Sequence, residues 1–471
     1  MTATVLNLRN CQQSRSQAMP KQKKPAAGAS TVAATRAALD AIERENGALR
    51  AFIRVTAETA LAEAQLADAK AAAGDTGGRV HGLPVAVKDI IDLAGVVTGC
   101  GSLTTAGAAP ASRDAAVVQR LRAEGAVIVG KTHTVEYAFG GYGTNVTVGT
   151  PWNPWDRKVH RTPGGSSSGS GVAVGAGIVP AALGTDTGGS VRIPAALCGC
   201  VGLKTSVGRV GRSRVAPLSK TLDSIGPLAS DVTTAARMLA AMQGHDPDDA
   251  RTDGIRPIDP MADLEKGVSG MRFGRICDAD LAGLATETRS DFESAVRRLS
   301  DLGARIETIE LGGIIERYGN LCGQIIAAEA YAYWRRFADD PTSGLAEPIR
   351  KRMLSGKAIS GGDYITLIED QRRAIAAFHG TFDRLDALLL PTTPLPAIPV
   401  AEVDERVAVM AAYTRWVNYL DLCAVAVPTS LSAARLPLSL QIVVRHLDDA
   451  LALRIARAFE AARGAFPAPP R

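Results

Sequence analysis

Gly188-Gly189-Ser190 sets two glycines directly before a serine, so backbone N–H groups there can approach a substrate oxygen with no Cβ in the way. An oxyanion hole is built this way, and each donor fixed in a dry site lowers an acyl-transfer barrier by roughly 3 kcal/mol. A second glycine–serine cluster, Gly164 to Gly171, lies upstream. Further upstream still, Lys88 ends the apolar run Leu83-Pro84-Val85-Ala86-Val87. Burial disfavours the charged form of a lysine, so one at the end of a buried strand can act as a base near neutral pH. These residue types point to acyl transfer by a serine.

Two competing motif matches fail on context. Gly125 to Thr132 fits the phosphate-loop pattern GxxxxGK[ST], but its interior, Ala-Val-Ile-Val, reads as a strand where that loop needs a flexible turn. Gly165-Ser166-Ser167-Ser168-Gly169 fits the GxSxG elbow with Ser167 as nucleophile, yet the polar stretch Lys158 to Pro163 precedes it where a buried strand is required. The half-motif His133-Thr-Val-Glu136 has no third metal ligand, and Cys198-Gly-Cys200 reads as two buried small hydrophobes.

The elements that position these residues follow from periodicity. Alanine-rich segments at 31–46 and 56–73 predict two surface helices. Leu83 to Ile91 and Ala126 to Val129 predict strands separated by a helix over Ala115 to Glu124, the rhythm of alternating strands and helices. Gly-rich turns are expected to dominate until about Gly211. Helices follow near 231–243, 286–302 and 324–338, strands at 271–276, 387–390 and 438–444, and then a final helix.

His81 to Asp89, the cluster at 164–171 and Gly184-Thr-Asp-Thr-Gly-Gly-Ser190-Val-Arg-Ile-Pro194 together resemble the amidase signature family, as do Cys198 to Lys204 and Pro437 to Gln441. The resemblance spans roughly residues 30–460. It implies an α/β fold with a large, mostly parallel, twisted mixed sheet flanked by helices on both faces. It also implies a triad in which Ser190 is acylated, Ser166 bridges after a cis peptide bond and Lys88 is the terminal base. The oxyanion donors would be the N–H groups of Thr187, Gly188, Gly189 and Ser190. Ser167, Asp186 and Arg192 match supporting positions, and Ala138, Gly140 and Gly141 fall on a loop that lines the acyl side of the pocket in relatives. No metal or organic cofactor is implied. The chain departs from the family at Arg435-Leu436-Pro437-Leu438-Ser439, where Gly-Leu-Pro-Val/Ile-Gly is common, so a small shift of a turn is expected there.

Composition narrows the function further. With 471 residues, 46% of them hydrophobic, the chain can bury a large core. The formal charge is +5, and Arg9, Arg15, Lys21, Lys23 and Lys24 supply five positive charges in a stretch without an acid. The remaining body is neutral, which argues against a nucleic-acid or anionic-membrane partner. Residues 1–24 read as a disordered basic tail ahead of one amidase domain over 25–471. Seven cysteines without a paired framework indicate a reducing, cytoplasmic setting, and no apolar run is long enough to span a membrane. The expectation is therefore an amidase that cleaves a small or medium-sized amide through an acyl-serine, free-standing or as a homodimer. The alternatives are the A subunit of a tRNA-dependent glutamyl/aspartyl amidotransferase and a catalytically silent binding protein. Substrate identity would be set between about Cys277 and Tyr364 and by the loop near Ala138.

Overall fold

The computed structural model describes residues 30–75, 78–407 and 409–470, so the expected tail at 1–24 lies outside the described residues. Eleven strands form one sheet. In chain order they are β1 (Phe52–Val55), β2 (Pro84–Lys88), β3 (Val127–Thr132), β4 (Ala181–Asp186), β5 (Val201–Lys204), β6 (Ser224–Ala229), β7 (Arg272–Ile276), β8 (Arg305–Ile309), β9 (Ala387–Pro391), β10 (Cys423–Leu431) and β11 (Pro437–Val444). Across the sheet they run β1-β3-β2-β4-β6-β5-β10-β11-β9-β7-β8.

Every residue of β2, β3, β4 and β11 is buried, as strands covered on both faces must be. Their side chains alternate between two separate cores. Val85, Val87, Ile128, Ala181 and Leu183 join a large cluster with Val117, Leu121, Leu239 and Leu453. Ala86, Val127, Val129, Ala182 and Ala426 face the other way, toward Ala38, Ile42, Val172 and Ala173. Helices thus cover both faces, including Thr31–Leu49 and Ser168–Gly175 on one and Val232–Met242 and Asp449–Arg463 on the other.

The sheet is mixed, and its centre corrects the expectation of a mostly parallel one. Parallel pairing is confined to β2 with β3 and β4, and to β7 with β8 and β9. From β4 through β6, β5, β10 and β11 to β9 every neighbour is antiparallel. The alternating strand–helix rhythm is real at β2 and β3, but the loop from β5 to β6 and the hairpin between β10 and β11 reverse the chain. At that hairpin Arg435 adopts a left-handed conformation, φ 60°, which explains why glycine is common there in relatives.

The segment read as Gly-rich turns is also more ordered than expected. It holds β4, β5, the helix Ser168–Gly175 and the short helix Arg192–Cys198. A Cβ on Gly169 would lie 2.2 Å from the Ala51 carbonyl oxygen, and one on Gly175 would lie 2.3 Å from that of Cys198. Gly169 and Gly175 serve close backbone contact.

Candidate active site

Lys88 occupies the last position of β2 and is fully buried. Its Nζ donates to Ser166 Oγ at 2.7 Å and Thr185 Oγ1 at 2.8 Å. Burial lowers the Lys88 pKa from 10.5 to about 7, against the opposing pull of Asp223 and Asp186. The amine is therefore poised to exchange a proton in the neutral range. Ser166 follows a cis peptide bond from Gly165, and its carbonyl accepts from Val135 N at 3.1 Å and Thr134 Oγ1 at 3.1 Å.

Ser190 is brought next to this pair by the loop after β4. The Ser167 N–H donates to the Ser190 carbonyl at 3.2 Å, which fixes the two serine segments side by side. The Ser167 hydroxyl donates to the Thr185 carbonyl and accepts from the Thr185 N–H, both at 3.3 Å. It thus stitches the Gly/Ser segment to β4.

Asp186 organises the loop. Burial opposes its charge, but Arg192, Lys204 and Asn418 hold its carboxyl well below the usual carboxylate range. It accepts from Gly189 N at 2.7 Å, Val191 N at 3.1 Å, and Arg192 Nε and Nη2 at 3.0 and 2.9 Å. Arg192 in turn reaches Gln441 Oε1 at 2.6 Å, Asn418 Oδ1 at 2.6 Å and the Thr414 carbonyl at 3.2 Å. Every charge in this buried cluster is paired and hydrogen-bonded, the condition under which buried charge is tolerated.

One expected donor is corrected. The Gly189 N–H is committed to Asp186 Oδ1, and Gly189 does not line the cavity that opens on Ser190. That cavity, about 930 Å³, is walled by Thr187, Gly188 and Ser190, by Ala138, Gly140 and Gly141, and by residues of the helix Ile314–Ala338. Gly189 is needed for another reason: at φ 125° a Cβ there would fall 2.2 Å from Thr414 Oγ1.

Sequence reasoning missed Thr185, Asp223, Thr414 and Asn418. Thr185 gives Lys88 its second acceptor. Asp223, whose pKa burial raises to about 6, accepts from Thr187 Oγ1 at 2.5 Å and so steadies the loop from its other side. Thr185 lies inside the Gly184–Pro194 block, but the resemblance gives it no role there, and Asp223, Thr414 and Asn418 sit in no recognisable motif; only distance in space identifies them. The motif matches set aside earlier have structural roles. Lys131 of the phosphate-loop match lies within β3 and pairs with Asp89 at 2.9 Å in the core, and Glu136 accepts from Ser102 Oγ at 2.5 Å and Ala346 N at 3.0 Å. Cys198 and Cys200 are buried in the core, which pushes both thiols up, Cys200 to about 12.

Comparison with known proteins fits this geometry. The amidase family model matches residues 33–453. The chain belongs to the amidase signature family. It is 39% identical to the A subunit of the glutamyl-tRNA(Gln) amidotransferase of Anaeromyxobacter sp. (strain K), over 92% of this chain and 93% of that one. Peptide amidase from Stenotrophomonas maltophilia superposes with TM-score 0.82 at 30% identity, covering 94% of this chain and 95% of that one. A chain from a vestigial protein complex that reveals the origins of an s-triazine catabolic enzyme superposes with TM-score 0.86 at 30% identity, over 91% and 94%. This amidase-family protein is accordingly an enzyme of amide carbon–nitrogen cleavage.

The relatives also overturn the expected partners. The reading of a lone small amide as partner, with no nucleic acid, does not stand beside a relative that is a named subunit of an enzyme acting on a tRNA. Neutrality of one chain does not exclude a nucleic acid bound elsewhere in an assembly, so net charge could not decide the partner. Among the described residues, no helix is long and apolar enough to cross a membrane.

Proposed function

We propose that this chain is the amide-cleaving subunit of a tRNA-dependent amidotransferase, using Ser190 as nucleophile, Ser166 as proton bridge and Lys88 as base. The observation that carries the reading is the 2.7 Å bond from the buried Lys88 amine to Ser166 Oγ, immediately behind a cavity that exposes Ser190. Ser190 Oγ attacks the amide carbonyl while its proton passes to Ser166, and that of Ser166 passes to Lys88. The N–H groups of Thr187, Gly188 and Ser190 face the developing oxyanion. Collapse breaks the C–N bond, the relay returns a proton to the leaving nitrogen, and ammonia departs toward the companion subunit. Water then attacks the acyl-Ser190 ester by the same relay and releases a carboxylate.

Membership of such an assembly is supported by the 39% identity to an amidotransferase A subunit over nearly both whole chains. A reducing, cytoplasmic setting accords with Cys100, Cys198, Cys200, Cys277, Cys322 and Cys423 all standing as free thiols. Ammonia release from glutamine tests the proposal, measured on the chain alone and again with companion amidotransferase subunits and glutamyl-tRNA(Gln). Turnover should rise at least tenfold on reconstitution. Equal release with and without companions and tRNA, on glutamine or on any simple amide, would show a free-standing amidase instead.

A further inference from the structure

The arginines around the Ser190 cavity differ in how their charge is met. Arg352 donates to the Phe139 carbonyl at 2.6 Å and pairs with Glu405, and Arg406 is held by Asp404 at 2.8 Å. Arg192, behind the loop, is saturated by Asp186, Asn418 and Gln441. Arg415 differs. Among the described residues no carboxylate or carbonyl accepts a hydrogen bond from its guanidinium, although it lines the same cavity. It lies against the oxyanion segment: a Cβ built on Gly188 would stand 3.2 Å from Arg415 Cγ and 3.8 Å from its Nε. Its Nη1 reaches toward Gly323 on the helix Ile314–Ala338, 3.5 Å from a Cβ built there. Arg415 is partly exposed and lines this space.

A guanidinium largely removed from water without a hydrogen-bonded counter-charge is a costly thing to keep in a core, and Arg352 nearby makes it costlier by repulsion. The acids on the same wall do not relieve it. Asp280 accepts from Leu311 N at 2.7 Å, Glu405 is taken by Arg352, and Glu310 and Glu316 are exposed at the mouth. An anion brought by the substrate resolves the imbalance, because a planar guanidinium grips a carboxylate with two parallel N–H donors.

We propose that Arg415 is the residue that selects a carboxylate-bearing amide, seating the carboxylate over Gly188 while the amide carbonyl reaches Ser190. The inference rests on the proposed acyl-serine chemistry but not on the presence of a companion subunit. It also gives the site a reason to prefer glutamine-like amides over neutral ones of equal length.

Protection of Ser190 from a neutral fluorophosphonate tests it on the full chain, without requiring turnover. Glutaramate and glutamine should protect at concentrations at least tenfold lower than glutaramide or glutaramate methyl ester. In Arg415→Gln that preference should vanish, and Arg415→Lys should restore part of it. Equal protection by charged and neutral amides in the unaltered protein, or a preference that survives Arg415→Gln, would overturn the assignment. Failure of the probe to label Ser190 at all would instead sink the acyl-serine reading, and the selectivity proposal with it.

Discussion

Replacing Lys88 by methionine keeps the bulk of a buried straight chain and removes the amine. The pKa displacement from 10.5 to about 7 means that burial disfavours protonation of Lys88 by about 5 kcal/mol. Two consequences have opposite signs. On the proposed relay the neutral amine is the active form, so Ser190 acylation should climb about tenfold between pH 6 and 8 and level off above. For stability, the folded protein carries a lysine that protonates less readily than in the unfolded chain. The resulting penalty is fully present below about pH 7 and is relieved as pH rises toward 10.5. Between pH 9 and pH 7 the native protein should therefore lose about 2 kcal/mol that Lys88→Met does not lose. Urea unfolding at the two pH values measures that difference. Acylation by a fluorophosphonate, followed by intact mass, measures the chemistry; both Lys88→Met and Lys88→Arg should slow it at least a hundredfold. An acylation midpoint near pH 10, identical pH dependence of stability in the two proteins, or an active Lys88→Arg would refute a neutral buried base.

Asp186→Asn leaves Arg192 buried beside a weakened acceptor set and should cost about 3–5 kcal/mol, read as a fall in melting temperature. Gly189→Ala sets a methyl group 2.2 Å from Thr414 Oγ1, so acylation of Ser190 should drop at least tenfold; an unaltered rate would show that the loop is not held as described. Ser30 caps the helix Thr31–Leu49 by accepting from Ala33 N at 3.3 Å and donates to Asp68 at 2.5 Å, so Ser30→Ala should cost about 1 kcal/mol. We propose that the domain starts there: a chain beginning at residue 25 should melt with the full-length protein, and a large loss of melting temperature would show that the preceding residues pack on the body.

How far the site could be read in advance depended on where its information sits. Lys88 was legible because five apolar residues lead directly to it, and Ser190 because two glycines precede it in a short block. β4 was not, since Ala181–Asp186 is built from small residues that carry little β-branched signal and owes its form to burial between β2 and β6. The helix Ser168–Gly175 is likewise invisible to propensity, with glycines at the points where another backbone touches it. Thr185, Asp223 and Asn418 act through contacts made only once the sheet has closed. Arg415 carried no mark in the sequence at all, because what distinguishes it is a missing counter-charge.

The wiring of Arg192 has a consequence for the order in which the enzyme can come alive during synthesis. Its partners Asn418 and Gln441 belong to the last stretch of the chain to leave the ribosome, and β10 and β11 are the strands that join the earlier-made β5 to β9. A nascent chain can hold Ser190, Ser166 and Lys88, the proposed nucleophile, bridge and base, long before it holds the residues that lock the loop around Ser190. On the proposed relay, hydrolytic competence should arrive only with the finished polypeptide: a fragment cut short before residue 441 carries all three proposed reacting groups without the clasp around Ser190.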